Sequence, residues 1–190
     1  DWIKILIKKL KQDKKIGAIG GKIFANKKIW FGGAKIYYGI FVNHKALEKE
    51  GESDYIVGAA VIFRKSVLNK VGLFDEEFFL YGEDTDLCLR IREAGYKCWY
   101  EPKAKSEHLI DENRVSPWQE YYEQRNRVYL AYKHTKNKSL YLFLDLLILF
   151  PLFWANRILK NPKKLKFLKE TLKARIDSIR MCLKNKGYGK

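Results

Sequence analysis

The apolar run at residues 55–63 places the tightest constraint on the fold of this chain. It is rich in β-branched residues and apolar throughout, which predicts a strand buried on both faces. A second apolar run, residues 16–24, contains Gly20 and Gly21. It predicts another buried strand, with a close backbone approach at these glycines. Because such runs alternate with helical patterns, we expect an α/β domain.

Helices are predicted where apolar residues recur at helical spacing. These segments are residues 2–10, 64–71, 84–94 and 117–134, and Gly72 and Gly95 stand where glycine commonly ends a helix. A short strand is expected at residues 97–100, stopped by Pro102. Residues 46–54 and 74–81 predict loops, and residues 29–38 predict a hairpin or a loop.

Charge is distributed unevenly along the chain. Residues 133–190 hold 15 Lys or Arg and 3 Asp or Glu, a net charge of +12, whereas the preceding residues carry only +4. Within this tail, residues 140–155 are strongly apolar, interrupted by Asp145 and Pro151. They predict a helix, or a helix pair bent at Pro151, that lies in or on a bilayer. The alternative is an ordinary buried helix of the domain.

The three cysteines are odd in number and show no metal-binding spacing. They argue against a disulfide framework and a zinc site, and favour a reducing cytoplasmic setting. The chain begins at Asp1, with no signal-peptide pattern after it. We therefore expect a part of a longer protein.

The densest group of reactive side chains lies at residues 74–86, with six carboxylates among aromatic residues. Glu83 and Asp84 directly precede a predicted helix, where carboxylates can act merely as caps. Three features favour a functional site instead. Gly82 permits a sharp turn, neighbouring carboxylates can have their pKa values pushed apart so that one serves as a base, and the small residues 58–60 leave room for a ligand.

Residues 54–90, DYIVGAAVIFRKSVLNKVGLFDEEFFLYGEDTDLCLR, closely resemble the acceptor-side half of bacterial-type family 2 glycosyltransferases. The similarity is greatest to the rhamnosyltransferase-like branch. It continues through residues 92–96, residues 100–104, His108 and residues 121–127, and covers roughly residues 16–134. The resemblance implies a GT-A fold, a mixed α/β sheet with helices on both faces, and single-displacement sugar transfer with inversion at the anomeric carbon.

The resemblance also assigns roles to residues. Asp84 matches the second position of the family's Glu-Asp motif and is the expected general base, which Glu83 tunes or assists by positioning the acceptor. The expected acceptor contacts are Gly58, Ala59, Tyr81 and Asp86. His108 matches a histidine near the metal and diphosphate in related enzymes, although it can equally be a surface histidine. Arg125 and Arg127 either face the donor phosphates or pair with Glu120 and Glu123 on their own helix.

The implied partners are a nucleotide-sugar donor, a glycan or lipid-linked acceptor and a divalent cation, Mn²⁺ or Mg²⁺. The family's nucleotide-binding half, with its D-x-D motif, is not matched here. We therefore expect residues 1–134 to form the acceptor and catalytic part, and residues 135–190 to form an apolar and basic helical tail. The tail predicts peripheral attachment to an anionic membrane at its cytoplasmic face.

Two other functions remain open from the sequence. One is a basic binding module for membranes or nucleic acid, but the charge lies beside an apolar run and no nucleic-acid motif appears, so we expect no nucleic-acid partner. The other is a non-catalytic remnant of a glycosyltransferase, in which Asp84 can be replaced without consequence.

Overall fold

The computed structural model describes residues 1–37, 41–109 and 116–184. The chain divides into two compact units. Unit 1 comprises Asp1–Phe79 and Glu83–Glu112, and unit 2 comprises Leu80–Gly82 and Asn113–Lys190. The helix at residues 117–134 belongs to the same compact unit as the tail. The division predicted at residue 134 separates two functions, which compactness does not test, and it stays a prediction.

Unit 1 is a mixed sheet with helices packed on it. Its helices and strands, in chain order, are α1 (Trp2–Gln12), β1 (Ile16–Ala25), β2 (Lys28–Phe31), β3 (Lys35–Tyr37), β4 (Phe41–Asn43), β5 (Gly51–Ser53), β6 (Val61–Phe63), α2 (Lys65–Val71), α3 (Glu83–Glu93) and β7 (Lys97–Glu107). The sheet order is β2-β1-β7-β5, and β6 also pairs with β1. The β1–β7 pairing is parallel, whereas the other pairings among the described residues are antiparallel, including that of β3 with β4 in a separate small sheet.

Helices cover both faces of the sheet in unit 1. Neighbouring strand residues point to opposite faces, and Ala18 and Ile19 of β1 belong to different apolar clusters. Ala18 packs in the cluster that holds Val67 of α2 and Leu87 of α3. Ile19 packs in the cluster that holds Leu6 of α1. The expected fold class, a mixed sheet flanked by helices, is confirmed.

The predicted strand at residues 55–63 is mostly wrong. Only β6 is a strand, and Gly58–Ala60 form a 3₁₀ turn. The backbone donors of this segment go to side chains of α3: the amide of Ile56 donates to the Cys88 Sγ and that of Gly58 to the Asp84 Oδ2. These amides are therefore not available for a sheet ladder.

Strand β7 is longer than predicted because Pro102 interrupts its pairing only locally. Between Gly21 and Lys22 of β1, the partner in β7 changes from Glu101 to Lys105. Proline is tolerated at such a bulge, because the bulge leaves residues out of the ladder. The bulge brings Ala104 against Gly21, where an added Cβ would collide with the Ala104 carbonyl. The predicted close approach at this glycine is thus confirmed.

The segment at residues 46–54, which was predicted as a loop, contains the short strand β5, and β5 pairs with β7. Helix α2 ends before Gly72, which has φ of +84°, a conformation that favours glycine. All three cysteines are free and buried.

Unit 2 is helical. Its elements are α4 (Pro117–His134), α5 (Lys138–Leu144), a π-helical turn (Asp145–Leu149), α6 (Phe150–Lys160), a 3₁₀ segment (Pro162–Phe167) and α7 (Leu168–Lys184). Helix α4 begins with a capping box between Ser116 and Gln119. Helical structure runs without a break over Lys138–Lys160, a 23-residue stretch that by length and composition could cross a membrane. Seven of its large apolar side chains are exposed: Leu140, Phe143, Leu146, Leu147, Ile148, Leu152 and Leu159.

Candidate active site

The Glu83–Asp84 pair begins helix α3 directly after a backbone turn of unusual geometry. Gly82 has φ of +92°, so the sharp turn predicted there is confirmed. Phe79 and Tyr81 also have positive φ, at 58° and 65°. This conformation is uncommon for residues with a side chain and is a form of strain that clusters at functional sites.

Within unit 2, helix α4 holds the turn that precedes the acidic pair. The Nδ2 of Asn126 donates to the carbonyls of Leu80 and Tyr81 over 2.6 and 2.7 Å. The Nε2 of Gln119 donates to the Tyr81 hydroxyl over 2.9 Å. Tyr81 was predicted to bind the acceptor, and its hydroxyl is engaged here with α4. Sequence reasoning did not single out Asn126 or Gln119, although Asn126 lies within residues 121–127, the family-like segment of α4, and Gln119 lies just before it.

The Asp84 carboxylate is fixed by three donors. Its Oδ2 accepts from the amide of Gly58 at 2.8 Å, and its Oδ1 accepts from the Thr85 amide at 2.6 Å and the Thr85 hydroxyl at 3.2 Å. A carboxylate offers about four acceptor positions, so one position on Oδ2 is left. A half-buried carboxylate held in this way can accept a proton from a bound hydroxyl group.

Gly58 and Ala59 are accessible to solvent, as an acceptor site requires. A Cβ added to Gly58 would lie 3.5 Å from the Asp84 Oδ2 and 3.6 Å from the Asp84 Cβ. The structure therefore brings Gly58 and Asp84 together, as predicted residues of one site. The predicted contact of both small residues with an acceptor stays a prediction.

Glu83 differs from Asp84 in its surroundings. Its Oε2 is buried and has no hydrogen-bond partner among the described residues. Burial, with a smaller contribution from the charge of Asp84, raises the pKa of the Glu83 carboxyl above its usual range. Burial thus holds the Glu83 carboxyl closer to its protonated form than an exposed glutamate.

Tyr55 is a neighbour of Asp84 that sequence reasoning did not single out. Its side chain is buried, and its hydroxyl lies 2.5 Å from the Nδ1 of His44. Burial and then the negative charge of Asp84 raise the pKa of the Tyr55 hydroxyl far above its ordinary value. Tyr55 therefore remains a neutral phenol beside the acidic pair. His44 lies in a segment that matches the family only loosely, so no sequence signal marked it.

Asp86 does not face a ligand. It is fully buried, and its Oδ2 accepts from the Nε of Arg90 at 2.9 Å. The Arg90 guanidinium also donates to the carbonyls of Val71 and Leu73. Asp86 therefore orients Arg90, which holds the chain leaving α2, and its position does not support the predicted acceptor contact.

His108 follows β7, and its amide donates to the carbonyl of Phe24 over 2.8 Å. Its ring meets that of Trp30 edge-on, with 5.0 Å between centroids. Across residues 1–37, 41–109 and 116–184, no three His, Cys, Asp or Glu side chains come together as a metal site. The described residues alone therefore do not fit a complete cation site, and the metal-binding role of His108 stays a prediction.

The two arginines of α4 have different surroundings in unit 2. The Arg127 side chain is 14% exposed and lies 3.7 Å from the Asp145 carboxylate. Among the described residues it forms no ion pair within α4, and Glu120 accepts from Arg157 and Lys164. Arg125 is half-buried and packs on the ring of Tyr122. The burial of Arg127 does not support its predicted role at the donor phosphates, whereas that of Arg125 stays a prediction.

Comparison with known families decides the classification. The sequence model of the family described as glycosyl transferase family group 2 matches residues 8–165. The chain belongs to this family. The match includes the Glu83–Asp84 turn, Gly58, His108 and all of α4.

Several curated glycosyltransferases are similar to this chain. The dTDP-rhamnosyl transferase RfbF of Shigella flexneri is 29% identical over 140 residues, which cover 68% of this chain and 46% of that protein. The N-acetylglucosaminyl-diphospho-decaprenol L-rhamnosyltransferase of Mycobacterium tuberculosis is 39% identical over 54 residues, which cover 28% of this chain and 18% of that protein. A pre-mycofactocin glycosyltransferase of Mycobacterium tuberculosis is 46% identical over 54 residues, covering 28% and 11%.

The matched regions span less than half the length of these relatives. Among solved structures, the crystal structure of GalNAc-T7 with UDP, GalNAc and Mn²⁺ is similar, with a TM-score of 0.56 and 16% sequence identity. The similarity covers 73% of this chain and 30% of that one. At this identity the likeness concerns the fold, and it agrees with the GT-A architecture expected from the sequence.

Proposed function

We propose that this chain is the acceptor-side, catalytic part of a glycosyltransferase that moves a sugar from a nucleotide-sugar donor to a glycan or lipid-linked acceptor. The observation that carries the proposal is the Asp84 carboxylate, fixed by the Gly58 amide and by Thr85 at the start of α3. The chain's family membership and its rhamnosyltransferase relatives support this class of reaction.

In the proposed mechanism, Asp84 accepts the proton of the acceptor hydroxyl as that oxygen attacks the anomeric carbon of the donor sugar. The bond from the anomeric carbon to the diphosphate oxygen breaks on the opposite side, and the configuration inverts. Three donors hold the base still, which lowers the entropic cost of reaching the reactive geometry. Glu83 and neutral Tyr55 shape the electrostatic environment of the base.

The decisive experiment uses the full-length protein with membrane lipid extract, a panel of sugar nucleotides and Mn²⁺ or Mg²⁺. Release of nucleoside diphosphate is compared between the parent and Asp84→Asn. We expect the variant to lose about a hundredfold or more, as loss of a general base does. Glu76→Gln, an exposed change in the same acidic segment, is the matched control and should retain activity.

Equal diphosphate release by the parent and Asp84→Asn would reduce Asp84 to a helix-terminal residue and overturn the assignment. Release by neither protein would favour the non-catalytic remnant. The anomeric configuration of the product, read by NMR, tests inversion separately.

The proposed cation dependence is tested by metal removal. A related fold was crystallised with Mn²⁺, and a divalent cation or basic groups must offset charge on a departing diphosphate. We expect EDTA to abolish diphosphate release and Mn²⁺ or Mg²⁺ to restore it. If His108 takes part, His108→Gln should raise the metal concentration needed for half-maximal rate.

We also propose that unit 2 attaches the protein peripherally to an anionic membrane, at the cytoplasmic face. The exposed apolar side chains of Lys138–Lys160 and the basic residues that follow support this. Extraction of the protein from membranes by alkaline carbonate is the expected result. Retention after carbonate would instead indicate a spanning helix.

A further inference from the structure

A basic cleft lies in unit 2 at the C-terminal end of the apolar helical stretch. It measures about 330 Å³ and is lined by Phe153, Asn156, Arg157, Lys160, Asn161 and Lys164. This volume is in the range of small-ligand sites. The cleft thus combines three cationic side chains, two amides and one aromatic ring, a set suited to the oxygens of a phosphate group.

The charges around the cleft are only partly neutralised. Glu120 accepts from Arg157 at 2.6 Å and from Lys164 at 2.9 Å, and Glu123 lies 3.4 Å from Arg157. Lys160 forms no ion pair within the part of the chain that the structure describes. Three cations against two carboxylates leave a net positive charge.

Arg157, one of the residues that line the cleft, has an unused donor. The Nε of Arg157 is buried and has no hydrogen-bond partner among the described residues, although the other end of the guanidinium binds Glu120. Buried donors are normally paired. The hydrogen-bonding capacity of Arg157 is therefore not filled by its contacts with Glu120 and Glu123.

The surroundings indicate what carries the phosphate. The cleft lies at the end of Lys138–Lys160, a strongly apolar stretch of which only a small share is buried. Leu152 and Leu159 of α6 are 63% and 82% exposed. A phosphate attached to an apolar chain satisfies both features, because its head fits the cations and its chain contacts the exposed leucines.

We propose that this cleft, headed by Arg157, Lys160 and Lys164, binds the phosphate headgroup of an anionic membrane lipid. Binding in the cleft adds recognition of a phosphate group to the general attraction between basic residues and a negatively charged membrane surface. The inference rests on the proposed membrane attachment of unit 2 and is independent of the chemistry at Asp84.

Lys160 is the residue to change. Replacing Arg157 or Lys164 would leave the buried Glu120 with one cation fewer and endanger folding, whereas Lys160 is exposed and unpaired among the described residues. Lys163→Gln is the matched control, because Lys163 is an exposed lysine three residues away that does not line the cleft. Unfolding midpoints of both variants should equal that of the parent.

The test measures binding of the full-length protein to two kinds of vesicle by flotation. Both contain phosphatidylcholine and have equal surface charge, supplied either by phosphatidylglycerol or by a carboxylate lipid, a fatty acid. On phosphatidylglycerol vesicles, we expect Lys160→Gln to lose about fivefold or more in affinity relative to Lys163→Gln. On fatty-acid vesicles, the two variants should bind equally.

Equal losses for both variants on both vesicles would overturn the proposal, because they indicate diffuse charge attraction alone. Three further results would also overturn it. They are saturable binding of inorganic pyrophosphate that depends on Lys160 without vesicles, displacement from phosphatidylglycerol by a DNA oligonucleotide that binds through Lys160, and an equal loss for Lys160→Gln on vesicles that lack any anionic lipid.

Diphosphate release from a soluble donor in detergent distinguishes this site from the proposed function. We expect Lys160→Gln to match the parent in that assay. Phosphate-selective vesicle binding without any transfer activity would remove the proposed function and leave the lipid site. The opposite pattern would remove the lipid site alone.

Discussion

The backbone amide of Gly58 donates a 2.8 Å hydrogen bond to the Oδ2 of Asp84, which lies 26 residues further along the chain. This contact ties the 3₁₀ turn after Val57 to the first turn of α3. It places a residue with no side chain beside the proposed base, and so leaves the remaining acceptor position of Oδ2 open on that side. A small residue and a carboxylate that are far apart in sequence thus lie together in the proposed active site.

Gly58 offers a matched pair of substitutions that separate its amide from its size. Gly58→Ala keeps the amide and places a methyl group 3.5 Å from the Asp84 Oδ2, an ordinary contact. Gly58→Pro removes the donor, and the extended ψ of 138° at Val57 suits a following proline. Since a hydrogen bond to a charged group contributes about 1.5–3 kcal/mol, we expect the proline variant to be less stable than the alanine variant by about that amount.

Denaturant unfolding measures this difference, and Asp84→Asn provides the reference. In that background the proline and alanine variants should differ less, because the charged acceptor is gone. If the difference stays the same, proline acts on the backbone rather than on the Asp84 contact.

Glu83→Gln should make the protein more stable at neutral pH. The raised pKa of Glu83 means that the folded protein holds this proton more tightly than the unfolded chain does. Its contribution to stability is therefore present below the ordinary pKa near 4.5 and is lost as the pH rises through the folded pKa. Because the side chain is only half-buried, solvent screening limits the gain at pH 7 to about 1 kcal/mol.

The unfolding midpoint should accordingly rise by about 2–4 °C at pH 7 in a chain of this size. The parent and Glu83→Gln should melt together once the pH is below the ordinary value for a glutamate. A gap that does not depend on pH would show that ionisation of Glu83 is not its cause.

Asp145→Asn should destabilise unit 2 strongly. Asp145 is fully buried in the π-helical turn, where its carboxylate binds Arg175 and lies 3.7 Å from Arg127. Removing the negative charge leaves two buried guanidinium groups without this counter-ion, a change that typically costs about 3–5 kcal/mol. Chemical unfolding followed by circular dichroism measures the loss.

A paired replacement tests whether the charges or the space they fill matter. Asp145→Leu combined with Arg175→Met removes both partners, and buried ion pairs can often be replaced by apolar side chains at little cost. The double variant should therefore be more stable than Asp145→Asn alone. A greater loss in the double variant would mean that Arg127 depends on Asp145 more than Arg175 does.

Glu120 should make the stability of unit 2 sensitive to acid. Burial by itself would raise the pKa of Glu120, but hydrogen bonds and charge from Lys164 and Arg157 outweigh burial and lower it. The stabilisation is thus fully present above the ordinary value near 4.5 and is lost as the pH falls through the lowered folded pKa. The difference in unfolding midpoint between the parent and Glu120→Gln should be largest near pH 7 and should shrink below pH 4.5. A constant difference would contradict this ion-pair account.

Local signals in the sequence predicted most of the helices. Gly72 and the helical spacing of apolar residues indicated α2, and the same spacing indicated α1, α3 and α4 to within a few residues. Strands were predicted less well. Residues 55–60 were expected in a strand, but the amides of Ile56 and Gly58 donate to side chains of α3. Strand β7 continues past Pro102 because its pairing with β1 bulges there.

The candidate site was found in part from the sequence. Glu83, Asp84 and the turn at Gly82 stand together in the chain, so a local motif could reveal them. Tyr55 was not singled out, because its relation to Asp84 depends on contacts between residues far apart in the chain. Asp86 belongs to the same acidic segment as Asp84, yet helical rotation turns it into the core and onto Arg90.

The sequence by itself determined the family, the position of the acidic pair and the division between a near-neutral body and an apolar, basic tail. These depend on residue types and short spacings, which are written directly in the chain. Only the tertiary structure decided which carboxylate is fixed by a distant amide, which one is held nearer its protonated form, and which basic residues line a cleft. Those properties depend on burial and on contacts between residues far apart in the chain, and it is folding that sets both.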